Sequence, residues 1–209
     1  MEILISVVGS LIGGFILATL PGFSKLISRF PLKKMGIVMI LEYSNQKSAQ
    51  KKMLNDFHKS KSISVLAVKG DTFSSPESPF INEVKDKNKD PRYLISSKDN
   101  MHLKTRGKEL DMDLEVAVEM SISNFMKRIE TNSNISLRFH EEEADTRIIM
   151  FDSVIYVSYY EKNMPSRNSP VYRIKKENAF WNTFSSIFEE KWKMYEKSEY
   201  KPRGEANGT

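Results

Sequence analysis

Arg147 stands in an apolar run, residues 146–151, with Asp145 before it and Asp152 after it. A guanidinium presents a planar fork of N–H donors that can grip a phosphate through two parallel hydrogen bonds. The position therefore reads either as an anion anchor or as one member of an ion pair with Asp145 or Asp152. A second cationic group, Lys98, Lys104, Arg106 and Lys108, surrounds His102 and reads as a solvated loop whose basic rim can meet an anion. His140, followed by Glu141, Glu142 and Glu143, offers donors that suit zinc or manganese. Consecutive residues cannot all converge on one ion and no second histidine is near, so this stretch reads as a charged loop between strands. His58 reads as a surface residue at the end of a basic helix. With no cysteine in the chain, disulfide scaffolds, thiolate catalysis and cysteine-held metals are excluded, and no cofactor is implied. Neither a glycine-rich phosphate loop nor a Ser-His-Asp arrangement is visible.

These residues need a frame to position them, and the chain is long enough for one. Its 209 residues, 40% hydrophobic and 28% charged, suit a single well-buried domain with attachments. The excess of 32 basic over 27 acidic residues, a net charge of +5, permits a phosphate-bearing partner without demanding one. Residues 36–43 form a short apolar run, residues 44–59 read as a basic helix, and residues 62–69 alternate as a strand before a turn at Gly70-Asp71. Residues 76–88 read as a helix and residues 92–96 as a second strand. Residues 108–130 fit both periodicities, but their length without Gly or Pro favours one long helix. Three short strands follow at residues 135–139, 146–151 and 154–160, the last two joined by a tight turn at Asp152-Ser153, so the sheet is expected to end in this hairpin. Phe180, Trp181, Phe184, Ile187, Phe188, Trp192 and Tyr195 then place an aromatic stripe on one helix, which reads as core packing. The tail from Glu196 onward is expected to fray. Strands alternating with helices imply a layered α/β domain.

Residues 3–23 carry no charge over 21 positions, enough at about 1.5 Å per residue to cross roughly 30 Å of hydrocarbon. A transmembrane anchor is expected over residues 1–24. Lys25, Arg29, Lys33 and Lys34 follow in a basic juxtamembrane linker, residues 25–36, and place the rest of the chain on the cytoplasmic side of a cell membrane. A small-residue stripe, Ser6, Ser10, Gly14 and Ala18, suits close approach of two such helices. The folded domain then covers residues 37–195 and the tail residues 196–209.

The order strand, helix, strand, long helix, hairpin and terminal aromatic helix resembles one half of the phospholipase D-like superfamily. That superfamily carries His-x-Lys followed four residues later by Asp on a hydrophobic strand that enters a hairpin. Here Asp145-Thr146-Arg147-Ile148-Ile149-Met150-Phe151-Asp152 keeps the spacing, the apolar run and the final acid. The phrase Ser169-Pro170-Val171-Tyr172-Arg173, followed by the aromatic helix, looks like bacterial membrane proteins that carry a single such half. The resemblance implies a phospholipase D-like α/β domain behind one membrane helix, with Asp145, Arg147 and Asp152 at its site and the basic Lys104 and Arg106 beside it. It also implies a stress or defence role. Asp145 takes the place of the family's nucleophilic histidine, and a carboxylate there repels an anionic phosphodiester and offers no nitrogen nucleophile. The expectation is accordingly a non-catalytic domain that binds an anionic ligand (a nucleotide, nucleic acid or phospholipid) or a protein partner. Because the family builds its cleft from two halves, a homodimer is expected. The alternative is an active phosphodiesterase assembled as a dimer through His102 or His140. His102-Leu103-Lys104 with Glu109 imitates the motif spacing, but the polar residues between them do not make a buried strand.

Overall fold

In a strand buried on both faces, each face takes alternate residues, and the sequence then reads as an almost unbroken apolar run. The computed structural model, which describes residues 37–41, 47–176 and 178–202, is built around such strands. Among the described residues seven strands form one sheet: β1 (Ile37–Leu41), β2 (Ser62–Ala67), β3 (Asp90–Ser96), β4 (Ser136–His140), β5 (Thr146–Phe151), β6 (Val154–Tyr159) and β7 (Val171–Lys175). Their spatial order is β1-β7-β6-β5-β2-β3-β4. β2, β3 and β4 run parallel, whereas β5 lies antiparallel to β2 and leads through β6 and β7 to β1 in antiparallel pairs. The mixed sheet carries the α/β class expected from the alternating elements.

Helices α1 (Lys47–His58), α2 (Asp71–Ser74), α3 (Ile81–Val84), α4 (His102–Glu109) and α5 (Leu114–Ile129) contribute to one core. There Phe57, Phe73 and Phe125 pack with Val65, Tyr93, Ile149 and Phe151 of the sheet. Ring centroids 4.5 to 6.0 Å apart link Phe151, Phe57, Phe73, Tyr93 and Phe125 in one aromatic chain. The alternate residues Leu66, Leu94, Ile148, Ile155 and Ile174 point to the other face, where they meet Phe188 of α6 (Ala179–Met194). Trp181, Phe184, Ile187, Trp192 and Tyr195 pack against that second core, as the stripe implied, while Phe180 is exposed. Arg92 and Arg138 lie over the Trp192 ring at 5.5 and 4.1 Å, so the polar edge of α6 is also fixed to β3 and β4.

Several local expectations are corrected. Residues 102–109 form α4 rather than a solvated loop, because Leu103 and Gly107 face inward at helical spacing and Asn100 Oδ1 accepts the His102 N–H at 3.0 Å. Gly107 is required by close approach: a Cβ there would lie 2.7 Å from the Met112 carbonyl oxygen. The long helix begins at Leu114 instead of residue 108, since Asp111 has a positive φ of 50° and Asp113 caps the new helix by accepting the Val116 N–H at 3.1 Å. Residues 76–88 contain only the one-turn α3, preceded by α2 at Asp71–Ser74. The sheet does not end in the β5–β6 hairpin but continues through β7 to β1. The segment after Glu196 is docked: the Tyr200 N–H donates to the Leu137 carbonyl at 2.9 Å, and Glu199 pairs with Arg138 at 2.7 Å. The domain thus reaches past its expected end at residue 195. The anchor, its small-residue stripe and the linker, residues 1–36, lie outside the described residues, as do residues 203–209. Among the described residues no helix is long and apolar enough to cross a membrane.

Candidate functional site

The carboxyl end of a parallel strand is where an open α/β sheet leaves a crevice, because the chain must depart there for the next helix. β2 ends at Ala67, and Gly70 turns the chain into α2 with a φ of +72°. A Cβ at Gly70 would meet the Phe125 ring at 3.0 Å, so glycine serves both the backbone turn and the packing beneath it. Beside β2 runs β5, whose Arg147 lies opposite Ser158 of β6. These elements, with α1, α4 and residues 160–166, enclose a cavity of about 700 Å³. Met53, Phe73, Phe80 and Ile149 give it apolar walls.

Arg147 lines this cavity, half-buried. Its Nε donates to the Ser158 hydroxyl at 3.0 Å, which fixes the side chain on the sheet. Among the described residues no carboxylate lies within ion-pair distance of it. Burial pushes the guanidinium pKa down, against the opposing influence of Tyr160 and Asp71, yet an arginine stays protonated in a protein. The outcome is a fixed cation, partly stripped of water and without a counter-charge in contact. Tyr160 shares the same wall, and its hydroxyl accepts the Val68 N–H at 3.1 Å. Burial raises the Tyr160 phenol, so it remains a neutral hydroxyl near neutral pH.

The other sequence-derived residues separate. Asp145 is exposed, and its backbone carbonyl accepts the Tyr160 N–H at 2.8 Å. Asp152 closes the far end of β5, where its carboxylate accepts the Lys61 N–H at 2.7 Å and the Ser62 N–H at 3.2 Å. Burial alone would raise that carboxyl, but the hydrogen bonds from Ser62 and Lys61 hold it below the usual range. The seven residue steps between Asp145 and Asp152, at about 3.3 Å each, keep the two carboxylates roughly 20 Å apart. Neither pairs with Arg147, so the ion-pair alternative is not realised in the structure. Arg106 does reach the cavity, but its fork is occupied by Glu109 at 2.8 Å and the Met164 carbonyl at 2.9 Å. Lys104 is exposed on α4 and does not line the cavity.

A smaller cavity of about 220 Å³ adjoins the first, sharing Val68, Arg106, Leu114 and Tyr160, and contains His102. The His102 Nδ1 lies 3.9 Å from Glu143. His140 instead turns inward at the end of β4, 3% exposed, and Glu142 contacts Lys191 and Tyr195. Among the described residues no three His, Asp or Glu side chains gather as a metal site. The cavity residues that the sequence did not single out, Lys69, Asp71, Glu77, Asp111 and Tyr160, come from segments far apart in the chain. Only the Gly70-Asp71 turn signalled any of them.

Fold and site together describe a mixed α/β domain with an arginine-bearing cavity at one end of its sheet. No protein-family model matches the chain, and no curated protein matches it. Solved structures similar to it include TrmBL2, an archaeal chromatin protein that binds DNA, at 16% identity and a TM-score of 0.44 over 92% of this chain and 68% of that one. A likeness at that score carries no argument about what this chain binds.

Proposed function

We propose that the protein is a membrane-anchored, cytosol-facing domain of the phospholipase D-like type that binds an anionic ligand without hydrolysing it. The observation that carries this reading is Arg147, a half-buried cation with no carboxylate in contact, set in the wall of a 700 Å³ cavity. The β5–β6 hairpin entered from Asp145 and the aromatic helix that follows it after β7 support the resemblance. Among the described residues no histidine lines the larger cavity, and Asp145 points no nucleophile at Arg147, which supports binding over phosphohistidine chemistry. A role in bacterial stress or defence belongs to the same reading.

The test is a generic phosphodiester offered to the full-length chain in neutral detergent. No turnover is expected. Turnover that disappears in a His102→Ala variant would favour the dimeric phosphodiesterase instead. Arg147→Gln is expected to weaken anion binding at least about tenfold while leaving the unfolding midpoint nearly unchanged. Unchanged binding with a lowered midpoint would reject the ligand role. The anchor and the assembly have their own measurement: a reporter fused after Thr209 is expected on the cytoplasmic side, and light scattering on the same chain is expected to give a homodimer. Export of the reporter, or a monomer, would overturn the corresponding part.

A further inference from the structure

The larger cavity carries six charged side chains, and their arrangement says more than the sign of one guanidinium. Lys69, Arg106 and Arg147 are half-buried, whereas Asp71, Glu77 and Asp111 are exposed and so belong to the mouth. Formal charges cancel, three against three. Lys69 is answered by Asp71 at 3.2 Å and Arg106 by Glu109 at 2.8 Å, which leaves Arg147 as the cation inside that has no carboxylate in contact. Glu77 and Asp111 take part in no ion pair among the described residues. An entering ligand therefore meets one uncompensated positive charge within and carboxylates around the entrance.

From this we infer that the cavity selects an organic monoanion: one carboxylate or one singly charged phosphodiester group on a largely uncharged body. This rests on the anion-site reading above and adds the ligand class to it. Size supports the body, because 700 Å³ lies in the range of about 300–1,000 Å³ that encloses whole small molecules, far more than an inorganic anion fills. The apolar walls formed by Met53, Phe73, Phe80 and Ile149 would gain by covering that body. Charge excludes the polyanions. With one anionic group held by Arg147, further phosphates must lie toward the mouth, where Glu77 and Asp111, which no cation among the described residues neutralises, repel them. Nucleic acids and nucleoside triphosphates are thereby disfavoured, whereas a ligand with a single charge passes the rim once and leaves nothing behind it.

Equilibrium dialysis of the full-length chain in neutral detergent tests this with four probes: cyclic AMP, decanoate, ATP and a short oligothymidylate. At least one of the first two is expected to bind about tenfold or more tightly than either polyanion, with a salt slope no steeper than about −1, as for one neutralised charge. Cyclic AMP binding would assign the phosphodiester and decanoate binding the carboxylate. The combined variant Glu77→Gln, Asp111→Asn is expected to raise ATP affinity about tenfold while changing monoanion affinity little. Asparagine also suits the positive φ of 50° at Asp111, so the variant keeps its backbone there. Tighter binding of ATP or the oligonucleotide to the native chain, lost in Arg147→Gln, would overturn the monoanion class and leave the anion site standing. No binding of any probe, or binding indifferent to Arg147→Gln, would overturn both.

Discussion

Replacing Asp56 by alanine is expected to lower the unfolding free energy by about 3–5 kcal/mol, the range found when one member of a buried ion pair is removed. Asp56 projects from α1 into the sheet, where Arg173 of β7 donates to it twice, Nε to Oδ2 at 2.7 Å and a terminal nitrogen to Oδ1 at 3.1 Å. The Tyr156 hydroxyl of β6 donates to the same carboxylate at 2.5 Å. Burial alone would raise the Asp56 carboxyl, but these hydrogen bonds and the guanidinium charge hold it below the usual range. Truncation leaves Arg173, 8% exposed, as a buried charge without its partner, and takes the acceptor from Tyr156. The thermal midpoint should fall by roughly 6–20 °C, at about 2–4 °C per kcal/mol for a domain of this size. The double variant Asp56→Leu, Arg173→Met should recover much of the loss, because an apolar pair of similar volume removes both desolvation costs. A loss below about 1 kcal/mol in the single variant would mean that water replaces the carboxylate. The same change reaches the site, since α1 also supplies Gln50 and Met53 to the cavity wall and depends on this contact for its seat on the sheet.

Why some elements are readable and others are not follows from where their information lies. β2, β5 and β6 announce themselves because both faces are buried: Val65 and Ile149 on one side and Leu66 and Ile148 on the other leave almost no polar position to break the run. The terminal helix is legible from its aromatic spacing, which its packing against Leu94 and Ile155 demands. β7 is less visible, since Val171, Tyr172, Arg173, Ile174 and Lys175 alternate like any short exposed segment, and the polar Arg173 is inside only because Asp56 meets it. α4 resembles a loop because its glycine reports a close approach to Met112, a tertiary fact that composition does not contain. Of the five site residues expected from the sequence, Arg147 and Arg106 reach the cavity, because alternation along β5 and the face of α4 send them there. The spacing that made Asp145 and Asp152 conspicuous is a property of one strand, and a strand keeps its two ends apart. The acids at the cavity mouth come from the turns after β2 and α4 and from the segment between α2 and α3, segments that only the crossing of the sheet brings together.

Acidification from pH 6.5 toward pH 4 is expected to cost about 3 kcal/mol of stability through His140 alone. Burial pushes this imidazole down to about 4, with Lys191 adding to the effect and the hydrogen bond to the Ala67 carbonyl opposing it. Since a carbonyl can only accept, Nε2 carries the proton in that contact, at 3.2 Å, and the ring is neutral in the native state. The Tyr195 ring packs against it at a centroid distance of 6.3 Å. An unfolded chain binds a proton at histidine below about pH 6.5, whereas the folded chain does so only near pH 4, so between these values the unfolded state holds more protons. Stability therefore rises with pH across the window, is complete above it and declines by about 1.4 kcal/mol per unit within it. Asp56 and Asp152, whose carboxyls lie below the usual carboxylate range, add their own losses only at more acid pH, which separates the two effects. Urea midpoints taken across this range should show the decline in the native chain, and a His140→Asn variant, less stable at neutral pH, should show a flatter profile between pH 6.5 and pH 4. Equal slopes in the two proteins would show that His140 titrates alike in both states and would remove the burial argument for it.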